Sequence, residues 1–252
     1  VLFPQHSPEI SVVVPVRNEE DNISDLIHEI HSALSSAHFE LIYVNDGSND
    51  RTQARLLENP VPWLRVLHHQ ESCGQSTALW TGVQAARGHY IVTLDGDGQN
   101  DPSDIPSLLS IARLDKNPSP LLVIGWRKDR HDSWVRRVSS RVANAARGRM
   151  LRDHTPDTGC GLKVFSREAF LALPYFDHMH RFLPALFLRS GGRVQSIPVR
   201  HRPRTKGTSK YGVGNRLWIG IVDLLGVRWL LARAKLPKVQ ELSTMTRETD
   251  DR

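Results

Sequence analysis

Cysteine is scarce. The 252-residue chain has two, Cys73 and Cys160, and neither sits in a CxxC or in zinc-ligand spacing. That argues against a disulfide framework or a zinc site and fits a reducing compartment. Long apolar runs are missing as well. The most apolar segment, 217–232, is short for a bilayer span and is interrupted by Asp223 and Arg228. The opening "VLFPQHSPEI" has neither a basic n-region nor an apolar h-region, so no signal peptide is visible. No internal repeat is evident. His68, His69, His178, His180 and His201 show no HExxH spacing and read as solvated or core residues.

What is present is an ordinary globular composition, long enough for one sizeable α/β domain, with a net charge of +6. The basic residues are uneven. They crowd 127–152 and 200–216, a distribution that suits phosphate-bearing ligands, nucleic acid or an anionic membrane surface, or simply a solvated basic face.

The first half alternates two patterns. "ISVVVPV" (10–16), "FELIYVND" (39–46), "WLRVLHH" (63–69) and "YIVTLD" (90–95) are short apolar, β-branched runs, as in strands covered on both faces. Between them lie helical stripes. One carries Ile23, Leu26, Ile27, Ile30 and Leu34. A second follows Asn49 or Asp50 as cap, and a third, "GQSTALWTGVQAARG", is closed by Gly88. Parallel βαβ units follow, with ligands expected beyond the strands' carboxyl ends, where Asp46 and Asp95 lie. Later segments read as strands over 120–127 and 194–201 and as an amphipathic helix over 133–152. The basic loop "RPRTKGTSKYGVG" and a polar tail complete the chain.

"VTLDGDGQND" (92–101) packs Asp95, Asp97 and Asp101 with two glycines at the end of a strand. Like charges this close disfavour one another's ionisation, so a countercharge is expected. Hard oxygen ligands in this arrangement suit Mg²⁺ or Mn²⁺ held with phosphate oxygens. Asp95 and Asp97 supply carboxylates, and Gln99 adds a neutral oxygen. Gly96 and Gly98 permit close approach. The motif alone is equally an Asx-rich turn.

"VVVPVRNEEDNI", "IYVNDGSNDRT", "GQSTALWTGVQAARGHYIVTLDGDGQNDP", "DTGCGLKVF" and "RTKGTSKYG" occur in that order. Together they resemble family 2 glycosyltransferases of the GT-A fold. More narrowly, they resemble the branch that loads sugars onto polyprenyl phosphates, which includes dolichol-phosphate mannose synthases and bacterial undecaprenyl-phosphate sugar transferases. The resemblance spans about residues 8–232. It implies an α/β fold with a Rossmann-like, mixed but mostly parallel sheet flanked by helices. A catalytic domain over 1–215, an amphipathic interfacial helix over 216–234 and a polar tail over 235–252 are expected.

The resemblance also implies roles. Pro15, Arg17 and Glu19 match positions that meet the base and ribose of a nucleotide sugar, and Asp46 matches the acid that hydrogen-bonds the base. Gly74, Gln75, Asp95, Gly96 and Arg127 complete the donor set, and Asp95, Asp97 and Gln99 match the metal triplet. Asp97, Asp157, Arg204 and Lys210 are the expected catalytic group. Arg141, Lys163, Arg204 and Lys210 are the expected acceptor-phosphate group. Whether Asp157 takes a proton or positions groups is open. Relatives often have Ser-Gly-Phe-Arg where this chain has Cys160, Gly161, Leu162 and Lys163. Many also carry C-terminal transmembrane helices that the chain as given does not show.

The expected reaction is an inverting transfer from a nucleoside-diphosphate sugar to a polyprenyl phosphate, with Mg²⁺ or Mn²⁺. The expected place is the inner face of the cytoplasmic membrane, by peripheral contact through 133–152 and 217–232, with a membrane-protein partner or a homo-oligomer as further associations. Segment 217–232 also reads as a core-packing or dimer helix. Two rivals stand beside this reading. One is a glycosyltransferase with a hydroxyl acceptor, which needs a catalytic base. The other is a nucleic-acid-binding protein, disfavoured by the acidic strand ends and the lack of a helix-turn-helix, RRM or KH pattern.

Overall fold

The computed structural model describes residues 7–127, 147–203, 213–235 and 237. β1 (Ile10–Val16), β2 (Phe39–Asp46), β3 (Leu64–His69) and β4 (Tyr90–Thr93) alternate with α1 (Ile23–Ala33), α2 (Thr52–Leu57) and α3 (Gln75–Ala85). The second half adds α4 (Ile105–Leu114), β5 (Leu121–Arg127), β6 (Lys163–Ser166), α5 (Arg167–Leu171), α6 (Leu183–Arg189), β7 (Arg193–Val199) and α7 (Val213–Ala232). All seven strands form one sheet in the order β3-β2-β1-β4-β6-β5-β7. β1 pairs parallel with β2 and β4, and β2 with β3. β6 runs antiparallel to β4 and β5, while β5 and β7 are parallel. The sheet is mixed and mostly parallel, as expected.

The sheet is sealed on both sides, which explains why its central strands are apolar at successive positions. Val12 and Val14 pack into one core with Ile23, Leu26 and Ile30 of α1, and Val13 packs into the other with Ala78, Leu79 and Val83 of α3. One of the polar exceptions, Glu40, shows how they are satisfied. It accepts from Ser11 Oγ at 2.7 Å, the Arg87 amide at 2.6 Å and Arg65 at 2.6 Å. A buried carboxylate with several donors is tolerated where a bare one is not.

Winding runs from β1 to β2 to β3 and then returns to the other side of β1 for β4. The carboxyl ends of β1 and β4 therefore border a switch point, the usual place for a ligand crevice in such sheets.

One local reading is revised. Gly88 does not close α3, which ends at Ala85 with Ala86 as its cap residue. A Cβ on Gly88 would lie 2.6 Å from the backbone of Ile10 and Ser11, so Gly88 serves close packing on β1. The start of α2 is served by Asp50, whose Oδ1 accepts from Thr52 N–H at 2.9 Å. The antiparallel β6 and the helices α4, α5 and α6 had no sequence counterpart. Of the helix expected over 133–152, residues 128–146 lie outside the described residues, and 147–151 are helical.

α7 packs by one side only. Val227 is buried, with Leu224, Leu230 and Leu231 against the same core. Arg189 Nε donates to the Leu230 carbonyl at 3.1 Å, and Asp223 pairs with His178 Nδ1 at 3.0 Å. Trp218, Ile221, Val222, Leu225 and Trp229 are exposed. Their spacing of three and four residues puts them on one helix face. No helix among the described residues is long and apolar enough to cross a membrane.

Candidate active site

Two loops that follow β1 and β2 are tied together. Asn18 Nδ2 donates to Asn49 Oδ1 at 2.6 Å, and Asn49 N–H donates back to Asn18 Oδ1 at 2.8 Å. Asn18 holds a positive φ of 55° to do so. The Glu19 amide donates to Thr52 Oγ1, and Glu19 Oε2 accepts from Asn22. Pro15 and Glu19 are half-buried here and Arg17 is exposed.

Asp46, at the end of β2, is engaged by the protein itself. Its carboxylate accepts from Ser72 Oγ at 2.8 Å, Cys73 N–H at 2.8 Å and Gly74 N–H at 2.9 Å, and it pairs with His69 Nδ1 at 2.8 Å. Burial alone would raise its carboxyl pKa. The donors at Cys73, His69, Ser72 and Gly74 outweigh burial and hold it below the ordinary carboxylate value. Asp46, His69 and Cys73 converge closely enough to suggest a metal site. With Asp46 already accepting hydrogen bonds and His69 Nε2 paired to Thr81 Oγ1 at 3.0 Å, the group is a clasp on the 72–74 turn. That clasp presents Gly74, at φ 91°, and Gln75 at the start of α3.

Beyond β4, Gln75 Nε2 donates to Asp95 Oδ1 at 2.8 Å. Asp97 Oδ1 accepts from Gln99 N–H at 3.2 Å, which folds the turn back on itself. Burial and then repulsion from Asp97 raise the Asp95 pKa, only partly offset by Lys163, Arg127 and Gln75. A Cβ on Gly161 would lie 2.4 Å from the Asp95 carboxylate, and one on Gly96 2.3 Å from Val16. Gly161 is therefore required by the position of Asp95, and Gly96 by the packing of the turn on Val16. Two carboxylates forced together and incompletely compensated fit a divalent cation, whose charge relieves the repulsion.

Residues 200–202 anchor to this turn. Asn100 and His201 form an isolated antiparallel bridge, Arg202 N–H donates to the Gln99 carbonyl at 2.9 Å, and Gln99 Nε2 faces the Arg202 carbonyl at 3.4 Å. Arg202 also pairs with Glu29 at 2.8 Å and Asp101 at 2.9 Å. The chain thus enters the basic loop from the metal turn. Arg204 and Lys210 of that loop, and Arg141, lie outside the described residues.

Arg127 ends β5 and grips Asp157 bidentately, with Nε to Oδ2 at 2.6 Å and Nη2 to Oδ1 at 2.9 Å. Both groups are largely buried, and although burial opposes it, the bond to Asp157 leaves the Arg127 pKa raised. Lys163 is buried beside them and donates to the Cys160 carbonyl, and burial lowers its pKa. Asp95, Gln75, Gly161 and Lys163 line one cavity of about 210 Å³ together with His180 and Arg181. Sequence reasoning gave no site role to Gly161, Arg181 or Arg202, and it read His180, which lines the cavity, as a solvated or core residue. For Gly161, the second glycine of "GCG" was a usable signal. The other three had none.

The model of the glycosyl transferase family 2 domain matches residues 11–173. The chain belongs to that family. This glycosyltransferase is 37% identical over 236 residues to a dodecaprenyl-phosphate galacturonate synthase of Rhizobium johnstonii, covering 90% of this chain and 69% of the relative. It is 34% identical to an undecaprenyl-phosphate 4-deoxy-4-formamido-L-arabinose transferase of Edwardsiella ictaluri, covering 81% of this chain and 63% of the relative. The fold is similar to glucosyl-3-phosphoglycerate synthase of Mycobacterium tuberculosis, solved with Mn²⁺, UDP-glucose and glycerol 3-phosphate. There the TM-score is 0.61 at 24% identity, over 92% of this chain and 82% of that one. It is also similar to a Pyrobaculum calidifontis mannosyltransferase solved with GDP-mannose and Mn²⁺, with a TM-score of 0.62 at 20% identity over 94% and 67% of the two chains.

The clasp at Asp46 is testable on the fold itself. Because its folded-state pKa is depressed, its contribution is present above the unfolded value near 4 and is lost as pH falls through the folded value. Asp46→Asn should cost about 2–3 kcal/mol at pH 7, and the deficit should shrink below about pH 4, by urea unfolding across pH.

Proposed function

We propose that this glycosyltransferase moves a sugar from a nucleoside diphosphate to a polyprenyl phosphate, with inversion at the anomeric carbon. The Asp157–Arg127 pair carries the choice of acceptor. A hydroxyl acceptor calls for a general base within reach. Asp157, assigned to the acceptor side by the resemblance, has both oxygens held by one guanidinium. A phosphate monoester needs no such base, since its second pKa is about 6 and it is largely dianionic at neutral pH. The similarity to transferases that act on dodecaprenyl and undecaprenyl phosphate supports the same choice.

In this reading the nucleotide lies across the loops after β1 and β2, its diphosphate lies near Asp95 and Asp97, and its sugar fills the cavity. Mg²⁺ or Mn²⁺ held by Asp95 and Asp97 would neutralise charge on the departing diphosphate. Gln75 holds Asp95 in place, and the N-terminus of α3 adds a favourable field for an anion. An acceptor phosphate oxygen attacks the anomeric carbon as the bond to the diphosphate breaks, and the nucleoside diphosphate leaves with the electron pair. Asp157 keeps Arg127 oriented at the reacting groups. Arg141, Arg204 and Lys210 are assigned to the phosphates on the resemblance alone.

The exposed face of α7 is the membrane contact in this reading. Two tryptophans and three aliphatic side chains lie on one face of a helix that also carries Arg228 and is followed by Arg233 and Lys235. That composition suits an anionic lipid interface. His178 pairs with Asp223 of this helix and lies two residues from His180 at the cavity, so a lipid-borne acceptor would arrive beside the donor. We place this contact at the inner face of the cytoplasmic membrane.

Two measurements test the reading. Offered polyprenyl phosphate and the matching free polyprenol, the enzyme should glycosylate the phosphate, giving an acid-labile phosphodiester-linked product. Transfer to the alcohol should be at least about a hundredfold slower. Equal transfer to the alcohol, or transfer only to a soluble glycan, overturns the polyprenyl-phosphate assignment. In flotation with anionic vesicles the protein should rise with lipid, and replacing Trp218 and Trp229 with Ser should weaken binding at least about tenfold. A protein that stays at the bottom of the gradient, or a dimer dissolved by the same changes, contradicts the membrane contact.

A further inference from the structure

His180 stands apart from the groups assigned so far. It belongs to a short 3₁₀ turn, Met179–Arg181, packed against the start of α3, and it lines the same cavity as Asp95 and Lys163. Its Nδ1 lies 2.7 Å from Ser76 Oγ, and its backbone N–H donates to that same oxygen at 3.2 Å. Ser76 is 1% exposed. A buried hydroxyl has one proton to place, and leaving it unpaired is costly. Among the described residues the Nδ1 lone pair is the acceptor in reach. Ser76 therefore donates to Nδ1, and the imidazole proton resides on Nε2.

Nε2 has no partner among the described residues and is not sealed from solvent, on a ring that lines the cavity. Burial, with Lys163, Arg181 and His178 nearby, pushes the imidazole pKa down to about 3. The ring is therefore neutral at working pH, and its tautomer is set by Ser76 rather than by titration.

We propose that His180 is a specificity-determining residue, whose fixed Nε2–H donates to an acceptor oxygen on the donor sugar. The inference rests on the placement of the sugar in this cavity. It names the chemistry on the sugar side as an oxygen lone pair, belonging either to a hydroxyl or to a carboxylate. A hydroxyl can accept this bond while donating elsewhere, for example to Asp95. A carboxylate can only accept, and Lys163 and Arg181 on the same cavity would share its charge.

Calorimetry on the Mn²⁺-loaded protein, with UDP, GDP, UDP-galactose, UDP-galacturonate and GDP-mannose as probes, tests this. The quantity read is the affinity gained by the sugar over the bare nucleoside diphosphate. His180→Ala should reduce that gain about tenfold for the preferred sugar while leaving affinity for the bare diphosphate unchanged, in a protein that stays folded but melts at a lower temperature because Ser76 Oγ has lost its acceptor. His180→Gln, which places an amide N–H near the position of Nε2, should restore most of it. Ser76→Ala, which frees the tautomer, should give a smaller loss in the same direction. Preference for UDP-galacturonate over UDP-galactose identifies a carboxylate as the acceptor, and the reverse identifies a hydroxyl. An unchanged sugar gain in His180→Ala, or equal losses for sugar and bare diphosphate, overturns the role of His180 while the donor site stands. Wild-type protein that binds the diphosphates but gains nothing from any sugar overturns the placement of the sugar, and the role of His180 with it.

Discussion

Repulsion between Asp95 and Asp97 is the constraint around which the rest of the site is organised. A chain that brings two carboxylates together at the end of a buried strand accepts an electrostatic penalty, visible in the raised pKa of Asp95. The surroundings hold the pair in place without cancelling the penalty. Gln75 fixes one oxygen of Asp95, Gly161 and Gly96 make room for the turn, and residues 99–101 are braced against Arg202. Lys163 and Arg127 compensate from behind, yet each is already committed, to the Cys160 carbonyl and to Asp157. A site arranged in this way is complementary to a cation and its phosphates.

The neighbouring acids behave differently because their donors differ. Asp46 receives hydrogen bonds from the turn that follows β3, and it spends them on shaping the entrance to α3. Asp157 receives a bidentate guanidinium. Carboxylates near the carboxyl edge of one sheet are thus set to three tasks by their surroundings: the Asp95–Asp97 pair is left in need of a cation, Asp46 is structural, and Asp157 orients an arginine. The same division favours an acceptor that brings its own charge, since among the described residues Asp46 and Asp157 are committed to other donors and Asp95 is paired with Asp97 at the cation site.

Much of this was legible in the sequence, and the limits have physical causes. β1 and β2 are apolar at nearly every position because helices cover both faces, so their runs stood out. The acids at the ends of β2 and β4, Asp46 and Asp95, could be placed from such runs. β6 escaped because it is four residues long, antiparallel and headed by a buried lysine, which leaves no period to detect. Gly88 was misread because a glycine after a helix resembles a cap, whereas its role is set by contact with β1, distant in sequence. The partners Asp157–Arg127, Ser76–His180 and Gln99–Arg202 are separated by 30, 104 and 103 positions and meet only when the sheet closes. The family resemblance identified several of these positions but said nothing of the bonds between them.

The cation site is the claim on which the account turns. Calorimetry with Mn²⁺ and nucleotide sugar, on wild-type protein and on Asp97→Asn with its fold verified by circular dichroism, addresses it directly. The account predicts Mn²⁺-dependent donor binding in the wild type and its loss in the variant, with the unfolding transition retained or raised because a like-charge repulsion has been removed. Unchanged affinity for Mn²⁺ and donor in a folded Asp97→Asn protein would contradict it.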